Sequence, residues 1–95
     1  MIIRGIEYFE EAIEKDPEFA LAYAKLALSY FWLDEFKTDK SYTDIINVNA
    51  DKALLYDSRS DHSLIAKALY YVHTREFELA IPHLEKALEY SNNET

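Results

Sequence analysis

The chain has no cysteine, one glycine and two prolines among its 95 residues. The missing cysteine excludes a disulfide framework and thiolate metal sites, and it accords with a reducing compartment. A sheet needs turn-forming residues every several positions, so their scarcity predicts an all-α chain. Basic residues are scarce too: ten Lys and Arg against 18 Asp and Glu leave a formal charge of −8. A surface of that sign repels phosphate backbones and anionic lipid, which disfavours nucleic-acid and membrane binding. No apolar run reaches the length of a membrane span, and Met1-Ile2-Ile3-Arg4 is too short for a signal peptide. A cytoplasmic location is expected.

Apolar residues make up 49% of the chain and aromatics 15%, enough for a globular domain and too much for disorder. The length suits one small domain. In residues 5–16, Ile6, Phe9, Ala12 and Ile13 share one helical stripe, opposite Glu7, Glu10, Glu11 and Glu14. Asp16-Pro17 ends that helix. The run "FALAYAKLALSYFWL" predicts a second helix over 19–33, apolar nearly all round and so touched on several sides. The charged, aperiodic stretch 34–41 reads as a loop. Ser41-Tyr42-Thr43-Asp44 resembles a capping box, which predicts a third helix from there to Tyr56. After the break "DSRSD", with Ser58 or Ser60 as cap, a fourth helix is expected over 61–74 and a fifth over 77–90. Pro82 falls inside the fifth and should bend it or delay its start.

The chain repeats itself. "FEEAIEKDPEFALAYAKLALSYF" aligns with "ADKALLYDSRSDHSLIAKALYYV", so that Ala12 falls on Ala53, Tyr23 on Leu64, Ala27 on Ala68 and Tyr30 on Tyr71, all 41 positions apart. Ala53 and Ala87 are 34 apart, and the seven-residue difference matches the loop at 34–41. Tyr23-x2-Leu26-Ala27-x2-Tyr30 resembles the first-helix signature of the tetratricopeptide repeat, and Leu64-x2-Lys67-Ala68-x2-Tyr71 is a weaker copy. The second-helix signature is similar to Gly5-x3-Phe9-x2-Ala12, Ile46-x3-Ala50-x2-Ala53 and Ala80-x3-Leu84-x2-Ala87. Pro17 keeps the terminal proline, where Ser58 and Asn92 stand in the other units.

The resemblance implies antiparallel helix-turn-helix repeats stacked as a short right-handed superhelix. One domain over 1–95 would hold an orphan second helix at 5–16, a repeat at 19–56 carrying the inserted loop, a repeat at 61–90 and a tail at 91–95. Such units are normally continued or capped at each end, so a piece of a longer array is expected. The spacing and the longer loop look like the arrays attached to bacterial signalling proteins. That likeness implies a regulatory parent and assigns no catalytic residue. Phe9, Ala12, Tyr23, Leu26, Ala27, Tyr30, Ala53, Ala68, Tyr71, Ala80, Leu84 and Ala87 would pack the repeats together. In this family the first helices line a concave groove for peptides or helices. Leu21, Ala24, Leu28, Phe31 and Trp32 would face it from one helix, and His62, Ile65, Leu69, Val72 and His73 from the next.

That wall is apolar, so an amphipathic helix or apolar peptide is the expected partner. Ala24 and Leu28 stand where the carboxylate-binding members carry polar groups, which disfavours that mode. The same faces would equally serve a homodimer or hold an array together. Trp32 has the chemistry of an interface hot spot, or of ordinary packing against the 34–41 loop. His62 and His73 are separated by three turns, ~16 Å, too far to share a metal ion, and His83 lies on another helix. No metal or cofactor is expected. The acidic stripe reads as a solvated face. No nucleophile elbow or phosphate loop occurs, and the cluster "SRSDHS" caps a helix better than it builds a triad. The expected function is therefore non-enzymatic.

Overall fold

The computed structural model describes residues 2–92. Five helices carry the described chain, with no strand among the described residues: α1 (Ile2–Lys15), α2 (Ala20–Glu35), α3 (Thr43–Tyr56), α4 (Asp61–His73) and α5 (Phe77–Asn92). Each helix packs on the next in sequence, and α2 also packs on α4. The core lies between α2, α3 and α4. Its members are Tyr23, Ala24, Ala27, Phe31, Ile46, Ala50, Ala53 and Ala66, with Ile13, Tyr30, Leu69 and Val72 packed around them. Alanines dominate because helices that approach closely leave room for a methyl group and little more.

Local chemistry sets the helix ends. α1 stops where Pro17 forbids its continuation; Asp16 Oδ1 accepts the Glu18 amide, and the Tyr23 hydroxyl donates to the Pro17 carbonyl at 2.8 Å. Tyr23 thus fills the core and pins the α1–α2 turn. Between α3 and α4, Asp57 Oδ1 accepts the Arg59 amide, and the buried Ser63 hydroxyl donates to the Ala53 carbonyl at 3.1 Å. The Ala53 carbonyl also accepts the Asp57 amide at 2.9 Å, so Ser63 takes its second lone pair and ties α4 to the end of α3. The α4–α5 turn closes with Glu76 N–H donating to Tyr71 O and Arg75 N–H to Val72 O, which places Arg75 at φ 65°.

Several boundaries differ from the sequence reading. α1 begins at Ile2 rather than residue 5, and α2 runs on through Asp34 and Glu35, so the connection occupies 36–42. Ser41 caps nothing. α3 begins at Thr43 after Tyr42, with no side-chain capping bond, because the Ser41 and Tyr42 amides turn back to Asp34. Pro82 sits within α5 as one continuous helix from Phe77, so the start is not delayed. Of the expected tail, Ser91 and Asn92 are helical, and 93–95 lie outside the described residues.

Candidate functional site

The apolar face expected on α2 and α4 forms in part. Ala24, Lys25 and Leu28 meet His62, Ile65, Ala66 and Leu69 around a depression of about 30 Å³. That is the volume of roughly one water molecule, so the feature is a shallow seam and holds no small ligand. Ile65, which lines it, is 36% accessible, and Leu21 and Trp32, at helical spacing from Lys25 and Leu28 on the same face of α2, are 39% and 46%. His62 is exposed as well, 3.8 Å from the Asp61 carboxylate.

Three residues expected on this face do not present themselves to solvent. Ala24 and Phe31 are buried in the core, and His73 is buried with them. The reason is that α2 contacts α1, α3 and α4 together, which leaves only a narrow strip of it free. The Phe31 ring turns inward, edge-on to Trp32 and beside the His73 imidazole. Leu69 and Val72 are half-buried and pack against the core.

His73 belongs to a polar knot at the far end of α2 and α4. Its Nε2–H donates to Asp34 Oδ2 at 2.8 Å, and Asp34 has no accessible surface. The same carboxylate accepts the Ser41 amide at 3.0 Å and the Tyr42 amide at 2.8 Å. The Asp34 carbonyl accepts Lys40 Nζ and the Lys37 amide. Burial pushes the Asp34 carboxyl upward. The two amides, the His73 hydrogen bond and its charge outweigh that and hold the carboxyl below its ordinary value. One aspartate therefore fastens both ends of the 36–42 connection and ties them to α4.

Sequence reasoning placed Asp34 in a solvated loop. A signal was present: Ala24, Ala27, Phe31 and Asp34 follow one another at three, four and three residues, so Asp34 continues the buried stripe. The knot superficially has the order of a triad, since His73 Nδ1 lies 3.4 Å from the Thr43 hydroxyl. Nε2–H is committed to the carboxylate, and Nδ1 faces the Thr43 hydroxyl. The contact is long, and the Asp34 and His73 side chains are buried. The observed hydrogen bonds anchor the 36–42 connection to α4.

Most residues expected to pack the repeats are interior. Tyr23, Leu26, Ala27, Ala53, Ala68, Ala80 and Ala87 are buried, and Phe9, Ala12, Tyr30 and Tyr71 are half-buried. Leu84 departs from the expectation at 43% exposure, because no described helix packs over that part of α5. The acidic residues Glu7, Glu10, Glu11 and Glu14 are all exposed. Among the described residues no three His, Asp or Glu side chains gather as metal ligands, and no helix is long and apolar enough to cross a membrane.

No protein-family model matches the chain, and no curated protein or solved structure matches it either.

Proposed function

We propose that the chain is a tetratricopeptide-like, non-enzymatic module that binds an amphipathic helix or apolar peptide along the α2–α4 seam. It would belong to a larger cytoplasmic regulatory protein. The observation that carries this reading is the exposed Ile65 at a seam too shallow for a small ligand, with exposed Leu21 and Trp32 on the α2 face that also carries Lys25 and Leu28. The neighbour order supports a stacked repeat: α2 touches α4, while α1 does not touch α3, nor α3 touch α5. First helices would then form one layer. The acidic charge of the chain favours a partner whose polar face is basic.

A fluorescein-labelled Leu/Lys amphipathic helix tests the reading by fluorescence anisotropy. The native chain should bind it saturably, and Leu21→Gln with Ile65→Gln should weaken binding about tenfold or more with helical circular dichroism unchanged. These positions serve better than Phe31, whose substitution would disturb the core. Absence of saturable binding, or equal binding by the variant, defeats the proposal.

A second reading, self-association through repeat faces, is favoured by one observation. Ile65, Leu84 and Leu88 border an open apolar strip on α4 and α5, with Leu88 63% exposed. Light scattering across a range of concentrations would detect the dimer. Because Ile65 borders both surfaces, Leu21→Gln alone separates them: it should spare the dimer and impair the seam.

A further inference from the structure

An opening of about 580 Å³ lies away from the seam, between the α3–α4 turn and α5. Its volume falls in the range of ligand sites. Ser58 and Arg59 enter from the turn, Leu64 from α4, and His83, Lys86 and Tyr90 from α5. The α5 residues recur at three and four positions, so they share one stripe of that helix. Pro82 also lines it from α5; Glu89, next to Pro82 around the helix, and Glu85 do not. None of the described lining residues is acidic, although carboxylates outnumber Lys and Arg by 18 to ten in the whole chain.

Arg59 is held in place. The Arg59 backbone is fixed by the Asp57 carboxylate, and its guanidinium lies 6.0 Å from the Tyr90 ring centre. Its planar fork still has N–H groups to offer a carboxylate. Lys86 supplies a second charge from a different element. The His83 ring stands beside Tyr71 and donates from Nδ1 to the Leu79 carbonyl at 3.0 Å, which fixes its tautomer. Leu64 and Tyr90 add an apolar and aromatic floor.

We propose that this opening binds an acidic peptide segment, with neighbouring carboxylates on Arg59 and Lys86 and side-chain methylenes on Leu64 and Tyr90. Two cations on separate elements suit ligand charges spread along a chain, more than one compact anion. The apolar floor has the same preference. A field of −8 would repel such a ligand elsewhere on the surface, so capture there depends on this one patch. The surface is independent of the α2–α4 seam, and either proposal can fail alone.

The test is anisotropy of fluorescein-labelled hexaglutamate titrated with the full chain. Saturable binding that weakens with added salt is expected. Arg59→Ala with Lys86→Ala should reduce affinity about tenfold or more, and Arg59→Lys should retain part of it. Arg4→Ala with Lys15→Ala removes two cations from α1 and should leave binding unchanged. Thermal unfolding of each variant checks that the fold survives. The proposal is overturned by absence of saturable binding or by equal loss in the α1 variant. Displacement of the peptide by inorganic phosphate at lower concentration would also overturn it, reassigning the site to a compact anion.

Discussion

The pairs α2–α3 and α4–α5 are built on the same plan and finished differently. A shift of 34 positions lays Ile46, Ala50 and Ala53 of α3 on Ala80, Leu84 and Ala87 of α5. All three α3 residues are fully buried, because α4 packs across them. In α5 the two alanines are buried against α4, but Leu84 remains 43% exposed. The burial of a repeat position is thus a property of its neighbour as much as of its own helix. The connections differ in the same spirit. Residues 36–42 are held by a buried carboxylate, and residues 74–76 by backbone hydrogen bonds and the Thr74 hydroxyl beside Tyr71 O and Glu76 Oε1, with one residue in the left-handed region.

The sharpest way to break this comparison is to remove the anchor of the longer connection. Asp34→Ala leaves the Ser41 and Tyr42 amides and His73 Nε2–H without their acceptor in the interior. Breaking a buried hydrogen-bonded charge in this way costs about 3–5 kcal/mol, which urea denaturation would register. An effect below about 1 kcal/mol would mean that water replaces the carboxylate and that the knot is dispensable. Asp34 also sets a pH dependence. Its folded-state pKa lies below the unfolded value, so its contribution is present above the unfolded value and fades as pH falls toward the folded one. Asp34→Asn should flatten that acid limb of the stability profile, and an unchanged limb would assign it to other carboxylates.

The second contrast exchanges the residues at equivalent positions. Ala50→Leu forces three more heavy atoms into a fully buried helix crossing and should cost about 1–3 kcal/mol or more. Leu84→Ala trims a half-exposed side chain and gains helix propensity, so its effect should stay within about 1 kcal/mol. If the two proved equal in the monomer, the asymmetry between α3 and α5 would not be real. If Leu84→Ala were costly only at high protein concentration, a second copy would be covering α5.

These contrasts also mark what the sequence could and could not reveal. The five helices were legible because Ile6, Phe9 and Ile13, or Ile46, Ala50 and Ala53, recur with the period of a helix. Ala27, Ala53 and Ala68 were legible as crossing points because only a small residue fits there. Asp34 was missed because charge was weighed above its position on the Ala24–Phe31 stripe. His73 was misassigned for the complementary reason: its partner lies 39 residues away, and no local pattern announces a buried pair formed by two helix ends. Leu84 was misassigned because a periodic pattern marks an apolar face without saying whether anything covers it. The seam was half legible: the repeat resemblance placed Leu28, His62 and Ile65 on it, whereas Phe31, placed there by the same resemblance, turns inward through contacts the sequence does not display.

The smallest expected effect concerns the shorter connection. Arg75 ends α4 at φ 65°, a conformation that brings a side chain's Cβ against the following carbonyl. The Tyr71 carbonyl accepts the Glu76 amide at 2.8 Å, so the geometry is fixed by the turn and not chosen by the arginine. Glycine has no Cβ to strain, but it also gives the unfolded chain more freedom, and the two effects partly offset. Arg75→Gly should therefore stabilise the fold by about 0.5–1 kcal/mol, read as a rise in Tm, while Arg75→Ala should bring no such gain. A glycine variant less stable than the native chain would mean that the arginine side chain contributes more across the α4–α5 turn than its backbone costs. The comparison would then reverse, with the short connection, like the long one, held by a charged side chain.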